Sequence, residues 1–307
     1  LTPNIDALAR TGVRFDRAYV QYTVCNPSRS SFLTGLRPDQ TGVTDNRTLL
    51  RDRLPNVVTL PQLLKDDGRH SAAFGKIFHL GGGRDGALRE KWMDLPRSWH
   101  TAQSFEATPL GRKKIAGRDL TQGKLAWCNW GAMDGGDDDQ PDGQIARAVS
   151  AEIENLGDRP WIIGAGFMKP HDPFVAPKKY WDLHDPAKLP QPSRLTAPEG
   201  APDYAPQFGG ELRNYEGIPP GNNPLDDPLT RRLIHGYYAA TSYMDAQLGK
   251  VMAALDETGL AKNTIVVLWG DHGWHLGDHG MWCKHTNYEE ATRIPLLVAV
   301  PGHTGAA

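Results

Sequence analysis

The run Thr264-Ile265-Val266-Val267-Leu268-Trp269-Gly270-Asp271-His272-Gly273 carries the fold in miniature. Its apolar, β-branched first half reads as a strand covered on both faces. The glycines around an acid–imidazole pair read as a loop at the strand's C-terminal end. Residues 71–74, 161–167 and 296–300 are further short apolar runs flanked by Gly, Pro or Asp. Helical patterns lie between them, at 4–11, at 60–67 and at 144–156 behind Asp142, a candidate N-cap. The longest spans about 229–258, with Leu233, Tyr237, Ala240, Met244, Leu248, Val251 and Leu255 at helical spacing, and Gly259 closes it. Strands alternating with helices predict an α/β fold: a mostly parallel central sheet flanked by helices on both faces.

Composition narrows the function classes. The 307 residues carry 34 basic and 36 acidic side chains, a net charge of −2, which excludes a polybasic nucleic-acid binder. No apolar stretch approaches the ~18 residues of a membrane span. Cys25, Cys128 and Cys283 are too few, and odd in number, for a disulfide framework. The chain opens Leu1-Thr2-Pro3-Asn4, already inside a capped helix pattern and without an initiator Met, so it reads as a fragment. Two segments break the strand–helix rhythm. Residues 131–143 are rich in Asp and Gly and off the EF-hand register, so a solvated loop is expected there over a calcium loop. Residues 186–228 hold ten of the 24 prolines and few apolar residues, and read as a long surface excursion, a functional wall or lid.

Four stretches carry chemistry. In Cys25-Asn26-Pro27-Ser28-Arg29-Ser30-Ser31-Phe32-Leu33-Thr34-Gly35, Pro27 suits a first helical turn and Gly35 a stop. A helix is therefore expected from 28 to about 34, with Cys25 just ahead of its N-terminus, where backbone N–H groups favour an anion. Arg29, one turn in, can point back at that spot. Gly75-Lys76-Ile77-Phe78-His79 follows the 71–74 strand and offers a point charge and a group titrating near neutrality at a strand end. Lys169-Pro170-His171-Asp172-Pro173-Phe174 follows the 161–167 strand, with prolines on both sides of His171 to fix its backbone. After Gly270-Asp271-His272-Gly273-Trp274-His275-Leu276-Gly277-Asp278-His279-Gly280 comes Lys284. Asp271 suits a hard cation, while the histidine run leaves zinc open, though no thiolate pair stands at finger spacing.

These stretches resemble, in order, the motifs of the formylglycine-dependent sulfatases of the alkaline-phosphatase-like superfamily. They are Cys-x-Pro-Ser-Arg with Leu-Thr-Gly, Gly-Lys-x-x-His, Lys-Pro-His-x-Pro-Phe, and Asp-His-Gly-x-x-x-Gly-Asp-His-Gly with its downstream Lys. The Lys76/His79 spacing and the Lys-Pro-His-x-Pro-Phe segment are similar to the iduronate-2-sulfatase branch. Leu36 stands where many relatives carry Arg. The resemblance implies that a maturation enzyme oxidises Cys25 to formylglycine, whose hydrate attacks sulfur, expels the alcohol and collapses to release sulfate. It further implies that Lys76 and Lys284 bind sulfate, that His79 takes the hydrate proton, and that His171 contacts sulfate or protonates the leaving oxygen; Arg29, Lys76, Lys284 and a divalent cation are expected to neutralise the sulfate and the transition-state charge. Asp271, His272 and position 25 would belong to a metal site, Ca2+ first and Mg2+ second. His275, His279 and His285 are expected to be structural or at the rim, and Trp274 either stacks on a sugar or packs locally. In the family a first strand with paired aspartates would precede Leu1 and a smaller subdomain would follow about Pro301. The 1–307 chain is thus expected to be a catalytic domain truncated at both ends, with an incomplete metal site and poor turnover.

The leading expectation is hydrolysis of a sulfate monoester, with a sulfated sugar or uronate 2-sulfate as the first substrate to try, and neither nucleic acid nor a membrane span involved. The rivals are a phosphate or phosphonate monoester hydrolase on the same scaffold, and a non-catalytic sulfated-glycan binder in which Cys25 stays a thiol. Family habit implies a periplasmic, secreted or lysosomal protein.

Overall fold

The computed structural model describes residues 1–81, 86–113, 115–117 and 130–305, so Cys128 lies outside the described residues. The central sheet is three parallel strands in the order Thr101–Gln103, His70–Gly75, Trp161–Gly166. His70 pairs with Trp161 at one end and Gly75 with Gly166 at the other. Side chains alternate across a strand, so its residues feed two cores. Ala72 and Phe74 join Ile145, Val149 and Ile153 of the helix Pro141–Glu154, and Val251 and Leu255 of the helix Asp227–Glu257. Ala73 points the other way, into a core with Leu33, Val43 and Trp99. Helices therefore cover both faces, as the α/β reading expects.

Two of the four apolar runs depart from that reading. Val266–Trp269 and Leu296–Ala299 pair antiparallel with each other, and Leu296–Ala299 pairs antiparallel with Val13–Arg14, in a separate three-stranded sheet. Nor is the 264–269 run covered on both faces: Ile265, Val267 and Trp269 are 63%, 45% and 42% exposed. A continuous apolar run fixes burial only on average and says nothing of strand direction.

The long helix begins where Asp226 accepts the Leu229 N–H at 2.9 Å, and just beyond its end Gly259 adopts a φ of 71°. Its buried Asp245 caps the first helix, Pro3–Thr11, by accepting from the Ile5 N–H at 2.7 Å and the Asn4 N–H at 3.2 Å. Thr2 makes no side-chain cap there, so a carboxylate distant in sequence satisfies the orphan donors. The 131–143 stretch is not a solvated loop. It forms the strand Gly131–Met133, a 3-10 turn at Asp137–Asp139 and the start of the Pro141–Glu154 helix. Asp137 pairs with Lys179 at 2.8 Å and Lys250 at 2.9 Å, which leaves it to cations of the chain itself.

The 186–228 excursion is irregular apart from a 3-10 turn at Leu212–Asn214 and its last two residues, which open the Asp227–Glu257 helix, yet it is anchored: Leu212, Tyr215, Ile218 and Leu225 are buried with Phe174, Leu233 and Trp282. Among the described residues no helix is long and apolar enough to cross a membrane.

Candidate active site

The helix Cys25–Thr34 starts earlier than the proline suggested, and Cys25 is its first residue, after Val24 as N-cap. Pro27 still lies in the first turn, where a missing N–H costs nothing. Asn26 ties this end down by donating to the carbonyls of Asp45 and Thr48, both at 2.8 Å. Gly35, with a φ of 72°, ends the helix through a hydrogen bond to the Ser31 carbonyl. Cys25 is 2% exposed, and its sulfur lies 3.4 Å from Lys76 Nζ and 3.2 Å from His272 Nε2. Burial pushes the thiol up, but Lys76, Lys284 and His272, with a hydrogen bond from His171, outweigh it and leave the group well below its usual range.

Arg29 commits its Nε and Nη1 to partners other than position 25. Its Nε donates to Asp271 Oδ2 at 2.8 Å, and its Nη1 donates to the carbonyls of Lys76 and Ile77. It is a strut that fastens the Cys25 helix to two strand ends at once. Ser28 adds a hydrogen bond from its hydroxyl to the Asp271 carbonyl.

Lys76 is delivered by register. Gly75 and Gly166 end their strands side by side, and the Lys76 N–H donates to the Gly166 carbonyl at 2.8 Å. A Cβ at Gly166 would stand 2.4 to 2.5 Å from the Lys76 backbone, so glycine is required for this approach. Burial pulls the His79 imidazole below its ordinary value, against the raising influence of Cys25. Its Nδ1 is buried without a partner.

His171 sits in a loop whose Lys169–Pro170 and Asp172–Pro173 bonds are both cis. Asp142, read from sequence as a helix cap, lies inside the Pro141–Glu154 helix and holds this loop instead. It accepts from the Met168 N–H at 2.7 Å and the Lys169 N–H at 3.0 Å. His171 Nδ1 lies 2.6 Å from Asp172 Oδ1, and Nε2 lies 2.8 Å from Lys284 Nζ. Lys284 is 1% exposed and also donates to Glu211 Oε2 at 2.9 Å, while its ammonium rests 4.6 Å from the Trp274 ring centre. Trp274 also packs on His171, His272 and Phe174, so it forms a floor under the histidines.

Cys25, Lys76, His79, His171, Asp271, His272 and Lys284 thus come together from four separate parts of the chain, with Arg29 bracing them. Of the remaining histidines, His275 is fully buried on Thr286 Oγ1, with burial holding it at about 4, and His279 bonds the Thr196 carbonyl. His285 Nε2 lies 3.7 Å from Glu211 Oε2 at the edge of the site. Sequence reasoning missed Glu211, which belongs to no motif and lies in the proline-rich excursion. It also passed over Asp172, visible in its motif but read only as a neighbour.

Donor atoms of Cys25, Asp271 and His272 lie within 4.8 Å of one another. His272 Nδ1 faces the Gly273 carbonyl at 2.9 Å, which turns the Nε2 lone pair toward position 25, as metal ligation requires. One carboxylate, one imidazole and position 25 fit part of a divalent cation's shell. They are fewer than the six to eight oxygens calcium takes, so the donor set does not select the ion.

The family model described as Sulfatase matches residues 1–307. The chain belongs to the sulfatase family. It is 34% identical over 316 residues to an iduronate 2-sulfatase of Mus musculus, covering 99% of this chain and 56% of that one. It is 33% identical over 320 residues to the iduronate 2-sulfatase of Homo sapiens, at the same two shares. A phosphonate monoester hydrolase from Silicibacter pomeroyi superposes with a TM-score of 0.79 at 26% identity, covering 99% of this chain and 64% of that structure. The chain therefore spans little more than half the length of the curated relatives it matches.

Proposed function

We propose that this chain is the catalytic domain of a sulfate monoester hydrolase in which the side chain at position 25, oxidised to formylglycine, attacks the ester. The observation that carries the reading is the position of the Cys25 sulfur, 3.4 Å from the Lys76 ammonium and 3.2 Å from His272, at a helix N-terminus. An aldehyde hydrate there would supply the attacking oxygen and a second hydroxyl for sulfate release. Lys76 and Lys284 oppose the charge of the ester and of the developing anion in a dry site. His79, held neutral by burial, takes a proton from position 25, and His171 donates one to the leaving oxygen. Arg29 keeps Asp271 and the Lys76 backbone in place. Asp271, His272 and position 25 would hold a divalent cation, which when bound adds positive charge against the sulfate.

We read residues 1–307 as one catalytic domain and 186–228 as a wall of its site. A sulfated sugar is the substrate class to try first, and a uronate 2-sulfate within it, by likeness to the iduronate 2-sulfatases. The fold likeness to a phosphonate monoester hydrolase supports a second reading, hydrolysis of phosphate or phosphonate monoesters. Two measurements separate the possibilities. Peptide mass spectrometry after expression with a formylglycine-generating enzyme is expected to find an aldehyde at position 25; a persistent thiol favours a glycan binder. Parallel turnover of sulfate, phosphate and phosphonate esters is expected to favour sulfate, and preference for a phosphorus ester removes the lead reading. Cys25→Ala is expected to fall to below about a thousandth of wild-type kcat.

A further inference from the structure

The 186–228 excursion places one acidic side chain among the cations of the site. Glu211 stands at the start of the Leu212–Asn214 turn. Its Oε2 accepts from Lys284 Nζ at 2.9 Å and lies 3.7 Å from His285 Nε2, and its Oε1 is 3.7 Å from His171 Nε2. Donor atoms of His171, Asp172 and Glu211 lie within 4.8 Å of one another, a grouping able to surround a cation. The cation already there is the Lys284 ammonium, 2.8 Å from His171 and 2.9 Å from Glu211.

We propose that Glu211 is a positioning residue that fixes the Lys284 ammonium, and through it His171, on the side of the site where the leaving oxygen departs. The geometry explains why one is needed. Lysine is a point charge on a flexible stem, and this one is buried, where burial opposes its charge and the Cys25, Glu211 and Asp172 anions sustain it. Glu211 accepts one of its N–H groups and the His171 ring lies 2.8 Å from it, which sets the ammonium's angle as well as its place, with the Trp274 ring face near it. The charge at position 25 also favours the ammonium. The carboxylate itself is held strongly ionised: burial opposes its charge, but Lys284, His285 and His171 outweigh that. Glu211 is itself held by Arg213, two residues on, which donates to the carbonyls of Phe208 and Asn223 and so stiffens the turn.

This inference rests on the proposed sulfatase reading, and its test separates the two. In the full-length protein matured at position 25, kcat and KM are measured for Glu211→Gln and Glu211→Asp with 4-nitrophenyl sulfate and with a simple alkyl sulfate. The alkyl ester needs help at its leaving oxygen and the nitrophenyl ester barely does. Glu211→Gln is expected to lower kcat on the alkyl ester about tenfold to a hundredfold, the worth of a charge-assisted hydrogen bond, with little change on the nitrophenyl ester. Glu211→Asp is expected to recover part of the loss. Equal losses on both esters mean a purely structural role and overturn the proposal, as does no loss on either. A crystal structure of Glu211→Gln decides independently of turnover. Lys284 Nζ is expected to leave its 2.8 Å contact with His171, and an unmoved ammonium overturns the proposal. A wild-type protein inactive on both esters sinks the sulfatase reading and leaves Glu211 to the crystallographic arm.

Discussion

His171 shows how neighbours set the chemistry of one side chain. Burial and the nearby Lys284 both pull its pKa down, yet the Asp172 carboxylate and the hydrogen bonds to Asp172 and Cys25 outweigh them and raise it to about 9. In the proposed mechanism His171 donates a proton to the leaving oxygen and so acts protonated, and its contribution would be present below that value and fade as pH rises through about 9. Removing the charge of Asp172 removes the main raising influence. In Asp172→Asn the alkaline limb of the pH–rate profile is therefore expected to move to lower pH, by about one unit or more. A limb that stays in place would mean that another group controls it. Asp172 was in plain view in the sequence, but adjacency does not tell which way two side chains point. Only the folded loop brings Oδ1 to 2.6 Å from Nδ1.

At the scale of elements, the register of two parallel strands decides where the lysine of the site stands. Gly75 has a φ of 83°, and a Cβ on it would meet the Gly166 carbonyl oxygen at 2.3 Å; a Cβ on Gly166 would meet the Lys76 backbone. Gly166→Ala is therefore expected to force the strand ends apart, at a cost of about 1–3 kcal/mol in denaturant unfolding, and to raise KM through a displaced Lys76. Unchanged stability and KM would show that the strand ends yield without disturbing Lys76. Four strands were legible because each is a short apolar run between turn residues, whereas Thr101–Gln103 of the central sheet and Val13–Arg14 of the other carry no such run and were not read. Their pairing was legible only in part. The direction of Val266–Trp269 against Leu296–Ala299 depends on how the connection between them folds, and that segment holds only short pieces: His275–Leu276 paired with Trp282–Cys283, a 3-10 turn at Asp278–Gly280, the helix Glu289–Thr292 and the strand Arg293–Ile294. The site residues were legible because each motif falls at the end of a helix or strand, where backbone geometry presents side chains to a common space. Arg29 was legible as a residue of the site but not as a strut, since sequence alone does not show that Asp271 and the Lys76 carbonyl lie within its reach.

Over the whole molecule, a chain with a net charge of −2 concentrates Arg29, Lys76, Lys284 and His171 around one buried position, and an irregular tract helps to wall it in. Composition alone made 186–228 look like a surface excursion, because ten prolines and few apolar residues suggest little to bury. The few apolar residues it has are nonetheless well used: Leu212, Tyr215, Ile218 and Leu225 are all buried. Polar ties reinforce them. The His279 N–H donates to the Arg194 carbonyl at 2.6 Å, and Phe208 forms a bridge with Trp282, two residues from Lys284. Arg213 gathers the carbonyls of Phe208, Pro219 and Asn223. A tract fastened in this way should behave as a fixed wall, and native-state proteolysis tests that directly. Wild-type protein is expected to resist subtilisin within 186–228 despite the lack of regular structure. Arg213→Ala is expected to be cut there about tenfold faster or more, since losing around 1.4 kcal/mol of local stability raises the open population by that factor. Its kcat on an alkyl sulfate should fall at the same time, because the turn that holds Glu211 against Lys284 loosens. Cleavage unchanged in Arg213→Ala would assign the anchoring to the buried Leu212, Tyr215, Ile218 and Leu225, and rapid cleavage of the wild type would make the tract a mobile lid.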